Sequence, residues 1–287
     1  MEQLTIGMAV YEDFDGVYFS IQALRYYHQE APMSRIKFLV VDNCPSGKHS
    51  ETIRKFVEGI GGTYIGTDEV KGTAVRNLIF ERAQTELVLC MDSHVLIEPG
   101  AVRQLLEYYD KHPQSQDLLQ GPLVYDDIYH MASHFQPEWR GGMYGTWAWD
   151  ERARHKNDAP FAIPSQGLGL FSCRKSAWLG FNRRFSGFGG EEFYIHEKFR
   201  QAGRQALCLP FLRWLHRFGR PNGTIYRNKW EDRIRNYLIG WRELNLPTEE
   251  LEAHFATIVG PKIVEQVKDG VLSEDAALDP AAKRKAA

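Results

Sequence analysis

Apolar residues in the first 110 positions fall into short runs separated by amphipathic stretches, the alternation expected of βαβ units. Leu4 to Val10 and Ile36 to Val41 are apolar runs of strand length. Between them, Val17, Ile21 and Leu24 recur at helical spacing within Phe14 to Gln29. The second run stops abruptly at Asp42-Asn43-Cys44-Pro45-Ser46-Gly47, a stretch with the composition of a turn. Ile53, Phe56, Val57 and Ile60 mark a further helix closed by Gly61-Gly62. Thr63 to Gly66 predicts a third strand, Thr73 to Ala83 a third helix and Leu87 to Met91 a fourth strand. Pro99 to Tyr109 predicts the next helix, with proline near its first turn.

Beyond Gln120 the pattern loses its regularity and becomes rich in glycine and aromatics, most densely from Trp139 to Trp149. So many large rings in a loop-rich stretch suit either a packed core or a stacking surface, with Trp139, Tyr144, Trp147 and Trp149 as the candidate stacking rings. Gly190 to Ala202 predicts a helix ending at Gly203, and Gln205 to Leu209 a short strand. From Pro247 onward two short helices are expected, and Ala276 to Ala287 reads as a frayed tail.

At 287 residues the chain is long enough for one large α/β domain with a small extension. No apolar run approaches the ~18 to 20 residues that span a bilayer, and the N-terminus lacks the pattern of a signal peptide, so a soluble cytoplasmic protein is expected. Cys44, Cys90, Cys173 and Cys208 form no Cys-x-x-Cys pair and are expected to be reduced and structural. The net charge of −2 conceals an asymmetry: Leu170 to Asn245 holds 15 Lys and Arg against 6 Asp and Glu. That surplus suits an anion, whether a nucleotide diphosphate or a nucleic acid, and equally a face of arginines with intrachain partners.

In open parallel α/β sheets, ligands collect outside the carboxyl ends of the strands. The rule singles out Ala9-Val10-Tyr11-Glu12, Asp42-Asn43, Asp92-Ser93-His94 and the loop before Arg76. An apolar strand that ends in Asp-x-His presents a carboxylate and an imidazole together, suitable ligands for Mn²⁺ or a similar divalent ion; the same residues also suit an Asx-type turn. In Gly189-Gly190-Glu191-Glu192, two glycines let the backbone approach a ligand and two carboxylates open a helix, where acidic residues are common in any case. His216 follows a short apolar stretch and would complete a site of two histidines and one carboxylate; a lone histidine there also serves structure alone.

The ordered set Ala-Val-Tyr-Glu, Val-Val-Asp-Asn, Lys71 to Asn77, Met-Asp-Ser-His, Gly-Gly-Glu-Glu and a late histidine resembles the GT-A glycosyltransferases of the family 2 type. Within them, Asp-Ser-His with Gly-Gly-Glu is similar to the polypeptide N-acetylgalactosaminyltransferases. The resemblance spans about Leu4 to Arg220. It implies an α/β GT-A fold, a Rossmann-like mixed sheet flanked by helices, with a catalytic domain over 1–245. Within that domain, 1–120 would be the nucleotide-binding half and 121–245 the acceptor and sugar half, with 246–287 a helical extension and tail.

The resemblance further implies a UDP-sugar donor and Mn²⁺ (or Mg²⁺). Asp42 would receive the uracil imide, Ala9, Tyr11 and Glu12 would line base and ribose, and Arg76 would support the nucleotide pocket. Asp92, His94 and His216 would bind the metal, which would neutralise the diphosphate leaving group. Gly190, Glu191 and Glu192 would face the sugar or the acceptor hydroxyl. If the anomeric centre inverts, Glu191 or Glu192 is the general base; if it is retained, the diphosphate takes the proton. A protein or glycan acceptor is expected first, a hydroxymethylated base of DNA second and a small molecule third. A non-catalytic sugar- or nucleotide-binding module is the alternative of another class. A nucleotidyltransferase would need a Gly-rich, Lys-containing phosphate loop, and Ala9 to Gly16 supplies none.

Overall fold

Four parallel strands occupy the positions that the hydrophobic runs predict. In the computed structural model, which describes residues 3–31, 33–70, 72–219 and 228–278, β1 (Leu4–Val10), β2 (Ile36–Asp42), β3 (Thr63–Gly66) and β4 (Leu87–Asp92) lie side by side in the order β4-β1-β2-β3. They alternate with α1 (Phe14–Tyr27), α2 (Ser50–Gly59) and α3 (Arg76–Arg82). Next come β5 (Val95–Ile97), α4 (Ala101–Lys111), β6 (Leu118–Gln120), β7 (Leu123–Val124) and β8 (Met131–Ala132). A hairpin of β9 (His134–Arg140) and β10 (Met143–Ala148) follows, then β11 (Phe161–Ala162) and β12 (Leu170–Arg174). The chain continues through α5 (Glu192–Gln201), β13 (Ala206–Cys208) and β14 (Trp214–His216) to α6 (Trp230–Glu243), α7 (Glu249–Val259) and α8 (Pro261–Leu278).

The main sheet has eight strands in the order β11-β13-β6-β12-β4-β1-β2-β3, and β12 enters antiparallel to β4. Successive residues of β4 face opposite sides, as the two-residue period of a strand requires. Leu87, Leu89 and Met91 pack with α1, α2 and α4, while Val88 and Cys90 pack with α3, α5 and α6. The second of these layers also takes in Leu251, Phe255, Val264 and Val271, so α7 and α8 share the core of α5 and α6. Among the described residues no helix is long and apolar enough to cross a membrane.

Several boundaries differ from expectation. Thr73–Val75 is a 3₁₀ turn that leads into α3, so the predicted third helix is shorter as an α-helix. The second C-terminal helix is not short: α8 has 18 residues and carries the chain through Ala276 to Leu278, stabilised by acidic residues that meet arginines of the core. The rest of the proposed tail lies outside the described residues. A four-stranded sheet, β5-β14-β7-β8, had no counterpart in the sequence reading, because elements of two or three residues display no period.

Candidate active site

Strand register brings the predicted carboxylates to one edge. Val10 pairs with Asp42 on one side of β1 and Ala9 with Asp92 on the other, so the two acids stand at the carboxyl ends of the strands that flank β1. The third element arrives through the small sheet. β14 runs antiparallel to β5 with His216 opposite Val95, which sets it beside His94 in the turn between β4 and β5. The two imidazole rings lie 4.7 Å apart, and ligand atoms of Asp92, His94 and His216 all fall within 4.8 Å of one another. Gly169 permits this approach, since a Cβ there would stand 2.7 Å from the Trp214 ring and 3.2 Å from that of His216.

Asp92 is shared between cation and imidazole. Its Oδ1 accepts from Arg76 Nη2 at 2.6 Å, and its Oδ2 lies 3.5 Å from His216 Nε2. Burial opposes its ionisation, but the Arg76 guanidinium and the neighbouring His216 and His94 rings hold its carboxyl well below the usual carboxylate range. Nδ1 of His216 is buried without a partner. His94 Nδ1 lies 2.9 Å from Oδ2 of Asp13, which also accepts from Ser93 Oγ at 3.0 Å and Arg217 Nη2 at 3.1 Å. Asp13 Oδ1 accepts from the same guanidinium nitrogen and, as the N-cap of α1, from Gly16 N. Asp13 and Arg217 had no role in the sequence reading; an acid directly after a strand end and before a helix was the available signal.

The Gly-Gly-Glu-Glu segment reaches the same region along a loop that only glycines can follow at three positions. Gly187, Gly189 and Gly190 have φ of +67°, +97° and +93°, which side-chain-bearing residues avoid. Asn236 of α6 clamps this loop, donating to the carbonyls of Ser186 and Gly189 at 2.9 Å and accepting from Ser186 N. Gly72, at the approach to α3, touches the loop from the other side: Thr73 N donates to the Gly187 carbonyl, and a Cβ on Gly72 would lie 1.9 Å from that oxygen. Glu191 is only 2% exposed and Glu192 9%. Burial and the charge of Glu192 push the Glu191 carboxyl up, against the pull of Arg76 and Arg233; burial raises Glu192 likewise. Oε2 of Glu191 has no partner.

Asp42, at the end of β2, is held by its own neighbours. It is 1% exposed and accepts from Cys44 N at 2.9 Å, Ser50 Oγ at 2.5 Å and the Tyr64 hydroxyl at 2.8 Å. Three donors leave this carboxylate about one further acceptor position, and it holds the Cys44–Ser50 turn. Ala9 is partly buried at the end of β1, and Tyr11 lies against Cys44, with its hydroxyl raised by burial and by that thiol. Glu12 has φ +52° and a buried Oε1 without a partner, pointing at the place a Cβ of Gly47 would occupy.

The aromatic segment is packing. Trp139 lies against Tyr237, Trp241, His254 and Phe255, Tyr144 against Phe193 and Trp241, and Trp147 against Phe135. Trp149 is half-buried and donates through Nε1 to Glu151. The surplus of arginines is largely engaged within the chain: Arg184 and Arg235 meet Glu274, Arg184 and Arg242 meet Asp275, and Arg217 meets Asp13. Lys71 and Arg220 lie outside the described residues.

A mixed sheet with its site at the carboxyl strand ends, an Asp-x-His turn and a second histidine from a satellite sheet define the GT-A class. The sequence matches the model of glycosyl transferase family 2 over residues 5–177, and the chain belongs to that family. No curated protein is matched by the sequence. Among solved structures, GalNAc-T7 with UDP, GalNAc and Mn²⁺ is similar with a TM-score of 0.67 at 13% identity, over 94% of this chain and 55% of that one. The present chain thus spans little more than half of GalNAc-T7. The mannosyltransferase PcManGT from Pyrobaculum calidifontis, with GDP-Man and Mn²⁺, is similar with a TM-score of 0.57 at 15% identity, over 99% and 79% of the two chains. S. aureus TarS 1–349 with UDP-GlcNAc gives 0.55 at 12%, over 97% and 74%.

Proposed function

We propose that this glycosyltransferase moves a hexose or N-acetylhexosamine from a UDP-sugar to a hydroxyl of a protein or glycan, with Mn²⁺ (or Mg²⁺) held by Asp92, His94 and His216. The observation that carries the reading is the convergence of those three side chains at the strand edge, in the same charged neighbourhood as the buried Glu191. One carboxylate and two imidazoles suit a borderline divalent ion. Bound there, the metal would supply positive charge to the departing diphosphate. Nucleotide-sugars and Mn²⁺ occur in the similar structures, with UDP in GalNAc-T7 and UDP-GlcNAc in TarS.

The chain's own residues prepare the rest. Arg76 keeps Asp92 ionised and oriented. Tyr11 and Glu12 border the nucleoside, and Asp42 shapes that border by fixing the turn beside it. The unpartnered oxygen and raised proton affinity of Glu191 favour it as the base: the acceptor oxygen bonds to the anomeric carbon, the bond to the diphosphate breaks, and the hydroxyl proton passes to Glu191. Glu192, at the start of α5, faces the sugar. The intrachain partners of the arginines favour a protein or glycan acceptor over DNA.

The test is a panel of UDP-glucose, UDP-galactose, UDP-GlcNAc and UDP-GalNAc, each with peptides, oligosaccharides and hydroxymethylated DNA, with and without Mn²⁺. Mn²⁺-dependent transfer to a peptide or glycan, lost in Asp92→Asn, is expected. Transfer to DNA alone would replace the acceptor assignment, and full activity of Asp92→Asn in EDTA would sink the metal site.

A further inference from the structure

Asp13 gathers more of the site than any other side chain outside the proposed ligand set. It sits where β1 gives way to α1, yet it contacts the turn after β4 through Ser93 and His94 and the residue after β14 through Arg217. It therefore ties together the two segments that carry His94 and His216. Room for it is made by Gly16, where a Cβ would stand 2.3 Å from Asp13 Oδ2 and 2.9 Å from the Ser93 carbonyl. Ser20 Oγ donates to that same carbonyl at 2.8 Å, fixing the turn from below.

The donors around Asp13 decide how it acts. Gly16 N, Ser93 Oγ and Arg217 Nη2 all point hydrogens at its two oxygens, as an ionised carboxylate, which only accepts, requires. Its remaining contact is Nδ1 of His94 at 2.9 Å. Facing an acceptor, that nitrogen must carry the ring's proton, which leaves the lone pair of the neutral imidazole on Nε2. In metal sites the atom that binds is set in this way by the hydrogen bond of the other ring nitrogen.

We infer that Asp13 is a positioning residue that selects the tautomer of His94, keeping Nδ1 protonated so that Nε2 is the ligand atom, while its grip on Arg217 holds the neighbouring His216 in register. The role in metal capture rests on the metal reading proposed above; the choice of tautomer does not. Asn at position 13 reverses the bond. Its oxygen is claimed by Gly16 N and Arg217, so its amide hydrogens turn toward His94, the proton moves to Nε2 and the ligand atom is lost.

The experiment is long-range ¹H–¹⁵N correlation of the histidine rings in metal-free full-length protein in mildly alkaline buffer, with Mn²⁺ titration by calorimetry on the same samples. Expected are a His94 Nδ1–H tautomer in the unsubstituted protein, an Nε2–H tautomer in Asp13→Asn, and Mn²⁺ affinity about 10- to 100-fold weaker in that variant. A structural role alone would lower the melting temperature without exchanging the tautomer. An Nε2–H His94 in the unsubstituted protein overturns the inference, as does an Asp13→Asn protein in which the His94 tautomer is unchanged. If Asp13→Asn does not fold, the tautomer of the unsubstituted protein still decides. If the unsubstituted protein takes up no Mn²⁺, the metal reading fails, and the Nδ1–H or Nε2–H signature decides the tautomer claim separately.

Discussion

Glu191 illustrates how much of a residue's chemistry lies outside its own side chain. An acid at the start of a helix is ordinary, but one that is 2% exposed, beside Glu192 and with an unpartnered oxygen, has a raised proton affinity. If it is the base, Glu191→Gln should lower kcat by about 10²- to 10⁴-fold while donor KM changes little. A base must be ionised to act, so kcat/KM should rise with pH through the raised pKa, nearer neutrality than for an ordinary carboxylate, and the variant's residual rate should lose that limb. A pH–rate profile of both proteins checks this; an unchanged limb in the variant would reassign the base.

At the scale of elements, the site depends on close backbone approaches. Gly72 and Gly61 both have positive φ, +92° and +78°, but only Gly72 has a neighbour where its Cβ would go, the Gly187 carbonyl at 1.9 Å. Alanine at Gly61 should therefore cost only the left-handed backbone term, about 1 to 2 kcal/mol. At Gly72 the same term is joined by about 1 to 3 kcal/mol of overpacking, and the loop carrying Glu191 is displaced. Thermal melts paired with turnover numbers distinguish the two: Gly72→Ala should lose activity well beyond its loss of stability, Gly61→Ala should not. Equal turnover in both variants would mean that the Gly72 contact does not place Glu191. Element prediction divides along the same physical line. β1, β2 and β4 were legible because each buries a run of at least four residues, whereas the half-exposed β3 was marked by the Gly61-Gly62 stop before it. β5, β7, β8 and β14 were not, although β14 delivers His216, since two or three residues carry no period. α6 was overlooked despite a helical pattern of Ile234, Tyr237, Leu238 and Trp241, all buried.

For the whole molecule, the C-terminal helices belong to the same packed layer as the site's supports. Phe255 of α7 is fully buried against Trp139 and Tyr237, and the Tyr237 hydroxyl in turn accepts from Tyr144 N. Phe255→Ala should therefore destabilise the entire protein by about 3 to 5 kcal/mol, as cavities of that size do. Chemical denaturation followed by both tryptophan fluorescence and circular dichroism should give one coincident transition; a separate early transition would mean that α7 and α8 unfold independently. The charge balance is also a property of the whole. The acids that answer Arg184, Arg235 and Arg242 are Glu274 and Asp275 of α8, some thirty to ninety residues further along the chain.

The sequence by itself determined the alternation of strands and helices in the first 110 residues, the strand end at Asp92, the glycine-flanked acids and the late histidine, because local periodicity and residue chemistry are written in consecutive positions. Only the tertiary structure decided which of these residues meet. It brought His216 beside His94 through a three-residue strand, tied Asp42 to Ser50 and Tyr64, turned the Trp139–Trp149 rings into packing and put Asp13 against His94. Those outcomes depend on strand register, on glycines that allow backbones to touch and on hydrogen bonds between residues as many as 204 positions apart, and none of these is encoded in a local pattern.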